Sequence, residues 1–147
     1  MNAIDLLERD HERMKALMTR ATAANGEERR EELLSELRTQ LVAHERMEEE
    51  VFYPPLRDEK KTHDIVLEGY EEHHVADLIL DELLETPADT DVWQAKMKVL
   101  KESIEHHIKE EEEEMFKKAR KVLSETELEE LGTQMEAVRD EALGVRD

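Results

Sequence analysis

The 147 residues carry 40 acidic against 21 basic side chains, a formal net charge of −19, with no cysteine, 4 Gly and 3 Pro. That balance argues against a basic stripe for nucleic-acid phosphates and against an anionic membrane surface. It also removes disulfides, thiolate metal sites and iron–sulfur ligation by this chain. The composition, 38% hydrophobic and 41% charged, points to long helices in a single domain rather than to sheet. The acidic start without a signal-peptide core, and the lack of any apolar run of transmembrane length, predict a cytoplasmic protein.

The first helix is expected from about Ala3 to Ala24, with Asn2 as N-cap and Asn25-Gly26 as its stop. A second runs from about Glu27 to a break at Tyr53-Pro54-Pro55, because paired prolines remove two backbone donors and crowd the preceding turn. The third follows Thr62 and ends near Thr86-Pro87; the fourth begins between Asp89 and Asp91 and reaches about Val122. Ser124 with Glu127 three residues on forms a capping box that opens a short fifth helix, with Leu128, Leu131, Met135 and Val138 on one face. Four long helices on short loops predict an all-α, antiparallel up-down-up-down four-helix bundle over residues 1–122. The remainder, 123–147, is expected as an amphipathic C-terminal helix packed on or beside it.

Steps of three and four residues mark the core-facing stripe of each helix. The first stripe reads Ile4, Leu7, His11, Met14, Met18, and the second Leu34, Leu37, Leu41, His44, Glu48, Val51. The third reads Val66, Gly69, His73, Ala76, Leu80, Leu83, and the fourth Trp93, Met97, Leu100, Ile104, His107, Glu111. Every long helix thus carries a histidine on its apolar stripe, and two add a glutamate one turn later. The spacing from His11 to His44 nearly equals that from His73 to His107, so the two hairpins form a pseudo-repeat. One layer of the bundle is expected to hold four imidazoles and two carboxylates.

An ionised carboxylate in an apolar layer costs several kcal/mol unless it is compensated, and no Lys or Arg shares these stripes. A metal pair compensates directly. Imidazole and carboxylate suit iron, and the lack of thiolate argues against a structural zinc site. Residues four apart lie about 40° apart around the helix, so each His and Glu pair converges on one place. A lone histidine on such a stripe is more often a hydrogen-bonded core residue; four, two of them with a matched glutamate, favour a metal site. His63 and His106 read as surface residues, and His74 as a substitute for His73 if the register slips by one. The rest of Glu48–Glu50 and Glu110–Glu114 reads as solvated.

The order His11, His44 with Glu48, His73, His107 with Glu111 resembles the hemerythrin-like (HHE cation-binding) family. So do Asp10-His11-Glu12, the run from His44 through Glu48 to Tyr53 and Pro54, Glu71-Glu72-His73, and the run from His106-His107 through Glu111 to Phe116. The resemblance spans about Ala3 to Val122. It implies a bundle around two non-haem iron ions, oxo- or hydroxo-bridged, with His11, His44, His73 and His107 as terminal ligands and Glu48 and Glu111 bridging. Oxygen-carrying hemerythrins have a fifth histidine four residues on in the third helix, where this sequence has Asp77. Tyr53, His74, Asp77 or water are therefore the candidates to complete the coordination. Some hemerythrin-like proteins use a tyrosine at the place of Tyr53; a tyrosine capping the core is the competing reading.

An oxygen ligand or exchangeable water biases the expectation away from reversible oxygen carriage. It favours a diiron protein that binds or reacts with dioxygen, hydrogen peroxide or nitric oxide, with catalase-like turnover as a candidate activity. An iron- or oxygen-sensing protein, or an oxygen binder without turnover, is the alternative, although the sequence offers no output domain beyond the fifth helix. A metal-free acidic interaction bundle ranks lowest, since it gives no reason for His and Glu to share stripe positions. Repair of iron–sulfur clusters belongs to relatives with a cysteine-bearing N-terminal domain and is weaker here. The expected partners are a small diatomic ligand or peroxide and a reductant that the sequence does not identify, in a monomer or a homodimer.

Overall fold

In a computed structural model, which describes residues 1–145, the chain is helical nearly throughout, and no strand occurs among the described residues. Helix α1 (Ala3–Ala23) starts where Asn2 Oδ1 accepts from the Asp5 N–H at 2.9 Å. Gly26, at a φ of 90° that disfavours any side chain, precedes α2 (Glu27–Met47). A π-helical segment, Glu48–Phe52, joins α2 directly to α3 (Tyr53–Arg57). Helix α4 (His63–Glu85) and α5 (Asp91–Glu110) form the second hairpin, α5 being capped by Thr90 Oγ1. A second π-helical segment, Glu111–Met115, runs on into α6 (Phe116–Val122).

The prolines do not stop the second helix as expected: helical backbone passes through them to Arg57. The reason is the π-helical register just before them. A five-residue repeat already displaces the carbonyls that Pro54 and Pro55 would have met, so the missing N–H groups sit where a new first turn needs none. The Glu49 carbonyl takes the Tyr70 hydroxyl at 3.5 Å instead.

Helices α1, α2, α4 and α5 with their extensions make the bundle, and its core falls into two apolar clusters. Leu6, Leu7, Met47, Phe52, Tyr53, Leu56, Met115 and Phe116 fill one end. Met14, Met18, Leu37, Leu41, Leu80, Trp93, Met97 and Ile104 fill the other. The histidine positions lie between them along every long helix.

Helix α7 (Glu125–Leu143) opens with the capping box: Glu127 N–H donates to Ser124 Oγ at 3.1 Å, and Ser124 N–H to Glu127 Oε1 at 2.9 Å. It packs across α1 and α2, burying Leu128 and Met135, each worth about 1.5–3 kcal/mol of apolar burial. The crossing is close. A Cβ on Gly132 would fall 2.5 Å from the Met1 carbonyl oxygen.

Candidate metal centre

The six side chains read from the stripes converge on one buried layer. His11, Glu48 and Glu111 are fully buried, and His44, His73 and His107 nearly so. Two overlapping groups of donor atoms result: His11, His44, Glu48 and Glu111, and Glu48, His73 and His107, with the atoms of each group within 4.8 Å of one another. Glu48 belongs to both.

Glu48 and Glu111 each open one of the π-helical segments. In a continuous α-helix the residue five positions on lies about 140° around the axis. The π register brings it back to the same side. Tyr53 therefore sits beside Glu48, and Phe116 occupies the matching place after Glu111. The Tyr53 hydroxyl donates to Glu111 Oε2 at 2.6 Å and lies 3.2 Å from Glu48 Oε1, while Phe116 stacks parallel to the His11 ring with centroids 5.9 Å apart. Gly69 makes room for the phenol: a Cβ there would lie 2.8 Å from Tyr53 Oη.

All four imidazoles have the same orientation, Nε2 inward and Nδ1 outward. Inside, His11 Nε2 is 3.1 Å from Glu111 Oε1, His73 Nε2 is 2.8 Å from Glu48 Oε1, and His107 Nε2 is 3.3 Å from Glu111 Oε2. Outside, each Nδ1 meets a carboxylate from a neighbouring helical segment: His44 meets Asp10 at 3.1 Å, His73 meets Glu49 at 2.7 Å, His107 meets Glu72 at 2.6 Å and His11 meets Glu112 at 2.8 Å. These four clasps run around the bundle in a closed ring, one across each helix interface. An outer carboxylate fixes the tautomer and plane of an imidazole and raises its basicity as a ligand.

Without a cation the layer is electrostatically incomplete. Burial alone would push the His44 imidazole down, but attraction to Glu48 and the bond to Asp10 outweigh it and hold it up to about 10. His73 is likewise held up to about 9 against burial by Glu48 and Glu49, and His107 well above the usual histidine range by Glu111 and Glu48. Burial would raise Glu48, yet the surrounding imidazoles, His44 first, keep it well below the carboxylate range. Protons on histidine thus stand in for the missing positive charge. Even so, His44 Nε2 and Glu48 Oε2, both buried, have no hydrogen-bond partner. Unpartnered inward atoms in a layer of four imidazoles and two carboxylates fit a pair of metal ions.

A small space of about 10 Å³, room for roughly one water, adjoins the layer between His44, His73 and His107, with Met14, Leu41, Ala76 and Ile104 as apolar wall. Glu45 also lines it, with one carboxyl oxygen unpartnered, and burial pushes that carboxyl up to about 9.

Of the additional candidates, Tyr53 reaches the layer. His74 is exposed, and Asp77, half-buried near Glu45, lies outside the converging set. His63 is exposed with Nδ1 on the Arg57 carbonyl, and His106 is 65% exposed, so neither faces the layer. The outer carboxylates were not legible as such: Glu49 and Glu112 read as solvated, and Asp10 and Glu72 only as parts of motifs. Their signal is adjacency, since each is the chain neighbour of a layer residue (Asp10-His11, Glu48-Glu49, Glu72-His73, Glu111-Glu112).

The four-helix bundle thus carries at its middle a metal-binding motif of inward histidines and glutamates. Residues 2–119 match the Hemerythrin HHE cation binding domain, and the chain belongs to that family. An uncharacterized protein of Mycobacterium tuberculosis is 33% identical over 140 residues, 93% of this chain and 84% of that protein. A DNA nickase of a Nostoc species is 25% identical over 139 residues; the match takes in 95% of this chain but 39% of the nickase's length. The crystal structure of a Hemerythrin HHE cation binding domain-containing protein from Mycobacterium kansasii superposes with a TM-score of 0.86 at 31% identity, covering 98% of this chain and 88% of that one. No described helix is long and apolar enough to cross a membrane.

Proposed function

We propose that this chain is a non-haem diiron protein that binds or reacts with dioxygen, hydrogen peroxide or nitric oxide, with catalase-like turnover of peroxide as the activity to test. The observation that carries the reading is the buried layer itself: four imidazoles clasped from outside, two glutamates between them, and inward atoms left without partners. His11, His44, Glu111 and Glu48 would hold one iron, and His73, His107 and Glu48 the other. Glu48, common to both groups, and Glu111, within reach of His11 and His107, are the residues that would be shared between the two positions. Iron there supplies the redox chemistry that side chains lack.

The chain's own residues set what reaches it. The space beside the layer is small, so the reading is confined to ligands of the size of dioxygen, peroxide or nitric oxide. Met, Leu and Ile walls keep bulk water out, and Glu45 offers a polar group within the space. Nucleic acid is not a partner in this reading, because the net charge of −19 opposes phosphate. The test is iron-loaded protein mixed with peroxide under an oxygen electrode, and with nitric oxide in a spectrophotometer. Oxygen release supports turnover, and a stable adduct without release supports the binder or sensor. Neither response from a fully loaded protein rejects the small-ligand reading.

Tyr53 is the candidate fifth side chain of the centre. Tyr53→Phe is expected to keep the iron but abolish a visible phenolate-to-iron band. If the band survives the substitution, the phenol is a hydrogen-bond donor to Glu111 and not a ligand.

A further inference from the structure

The four outer carboxylates are not equivalent. Glu112, Glu49 and Glu72 have side chains 30%, 39% and 24% exposed, so water meets the charge that the histidine leaves over. Asp10 is 4% exposed and has no such access. Besides His44 it meets two arginines: the half-exposed Arg13 of its own helix, with Nη1 3.6 Å from Oδ1, and the closer Arg139 of the C-terminal helix. Arg139 Nη1 lies 2.8 Å from Asp10 Oδ1 and 2.9 Å from Oδ2, and Nη2 donates to Gln40 Oε1 at 3.0 Å. The guanidinium itself is largely covered, its side chain 13% exposed. Asp10 thus joins α7 to the Nδ1 of His44, whose Nε2 is the unpartnered inward atom. In the pseudo-equivalent half of the bundle, Glu72 has no arginine and faces the exposed His106.

We propose that Arg139 is a positioning residue of the metal centre: it holds the Asp10 carboxylate against His44 Nδ1 and so orients the imidazole that faces Glu48. The inference rests on the metal-centre reading. It makes α7, which contributes no residue to the layer, a working part of one of the two iron positions. Nη1 meets both carboxylate oxygens while Nη2 is anchored on Gln40, so the charge-assisted contact holds the carboxylate in place against the imidazole it accepts from. Loss of such an outer partner weakens a metal site by roughly 10–100-fold.

The test is a double-mutant cycle on the full chain with Arg139→Gln and Asp10→Asn, read by the rate of iron release to a chelator and by the visible spectrum of the loaded protein. Asn at position 10 still accepts from His44 but no longer carries the charge that Arg139 meets. Arg139→Gln is expected to speed iron release about tenfold or more and to shift the spectrum in the wild-type background, and to add less than about twofold in the Asp10→Asn background. An equal effect in both backgrounds means that Arg139 acts through general packing of α7, which overturns the proposal. If the Gln variant loses its helical signal, Arg139→Lys is run through the same cycle under the same criterion. Failure of the two readings is distinguishable. An unaltered protein that takes up no iron overturns the metal centre and this inference with it. A protein that loads normally, with an Arg139→Gln variant identical in release and spectrum, overturns this inference alone.

Discussion

Glu48→Ala is expected to empty the centre. Glu48 is fully buried, belongs to both groups of donor atoms, and has His73 Nε2 at 2.8 Å and His44 Nε2 at 3.5 Å from its Oε1. Removing it deletes a donor from each iron position and half of the layer's negative charge, so the affinity loss should exceed the roughly 100-fold upper figure for an outer partner. Glu111→Ala should act in the same direction. Glu48→Gln, which keeps the volume, should fail almost as badly, because the missing quantity is charge. His63→Ala and His106→Ala are the matched controls, lying on exposed faces, and should retain full iron. Metal analysis of the purified variants decides the matter. If Glu48→Ala and Glu111→Ala both keep two irons per chain, the bridging assignment is wrong; iron loss on His63 replacement would mean that the register has been misread.

The second large effect is on stability against pH once metal is removed. A histidine whose folded-state pKa lies above its unfolded 6.5 stabilises the fold below 6.5, and the contribution disappears as pH rises through the folded value. His44 at about 10 and His73 at about 9 have this sign, and His107 and His11 are raised too. Glu45, raised by burial to about 9, loses stability in the same direction as its proton leaves. Glu48, Glu72 and Glu112 are lowered and act at the acid end, where their contribution fades as pH falls below 4.5. Metal-free protein should therefore unfold at its highest temperature between about pH 5 and 6.5 and lose stability steadily from pH 7 to 9. Each pKa unit is worth ~1.4 kcal/mol, so the fall amounts to several kcal/mol. The surface carboxylates are already ionised at pH 7, and repulsion among them does not change over that window. Iron must displace these protons, so its affinity should rise with pH. The gap in Tm between loaded and metal-free protein should widen from pH 6 to 9. A metal-free Tm that is flat or rising over pH 7–9 would show that the imidazoles are not carrying the compensating charge.

Much of this was written in the stripes. Steps of three and four place His11, His44, His73 and His107 on apolar faces, and antiparallel hairpins of nearly equal spacing bring them to one height. The same periodicity fails where the backbone leaves the α register. Nothing in Glu48–Phe52 or Glu111–Met115 announces a π-helical segment by composition, so the prolines read as a stop, and Tyr53 stood as one candidate ligand beside that break, with core capping as the competing reading. In the structure the extra residue carries the chain through Pro54 and turns the phenol onto the layer. The outer carboxylates were hidden for a different reason. In a sequence with 40 acidic residues, a glutamate next to a buried one reads as solvated, and which of them meets an imidazole depends on packing between helices. Arg139 was hidden more deeply still, since its partners Asp10 and Gln40 are more than ninety residues away.

Whether the layer holds metal is tested directly by iron content together with the visible spectrum of protein purified from cells grown in iron-rich medium. Two irons per chain with charge-transfer absorption typical of a bridged pair are the predicted result. A colourless, metal-free protein that cannot be loaded with iron would contradict it and leave the six buried side chains to an acidic interaction bundle.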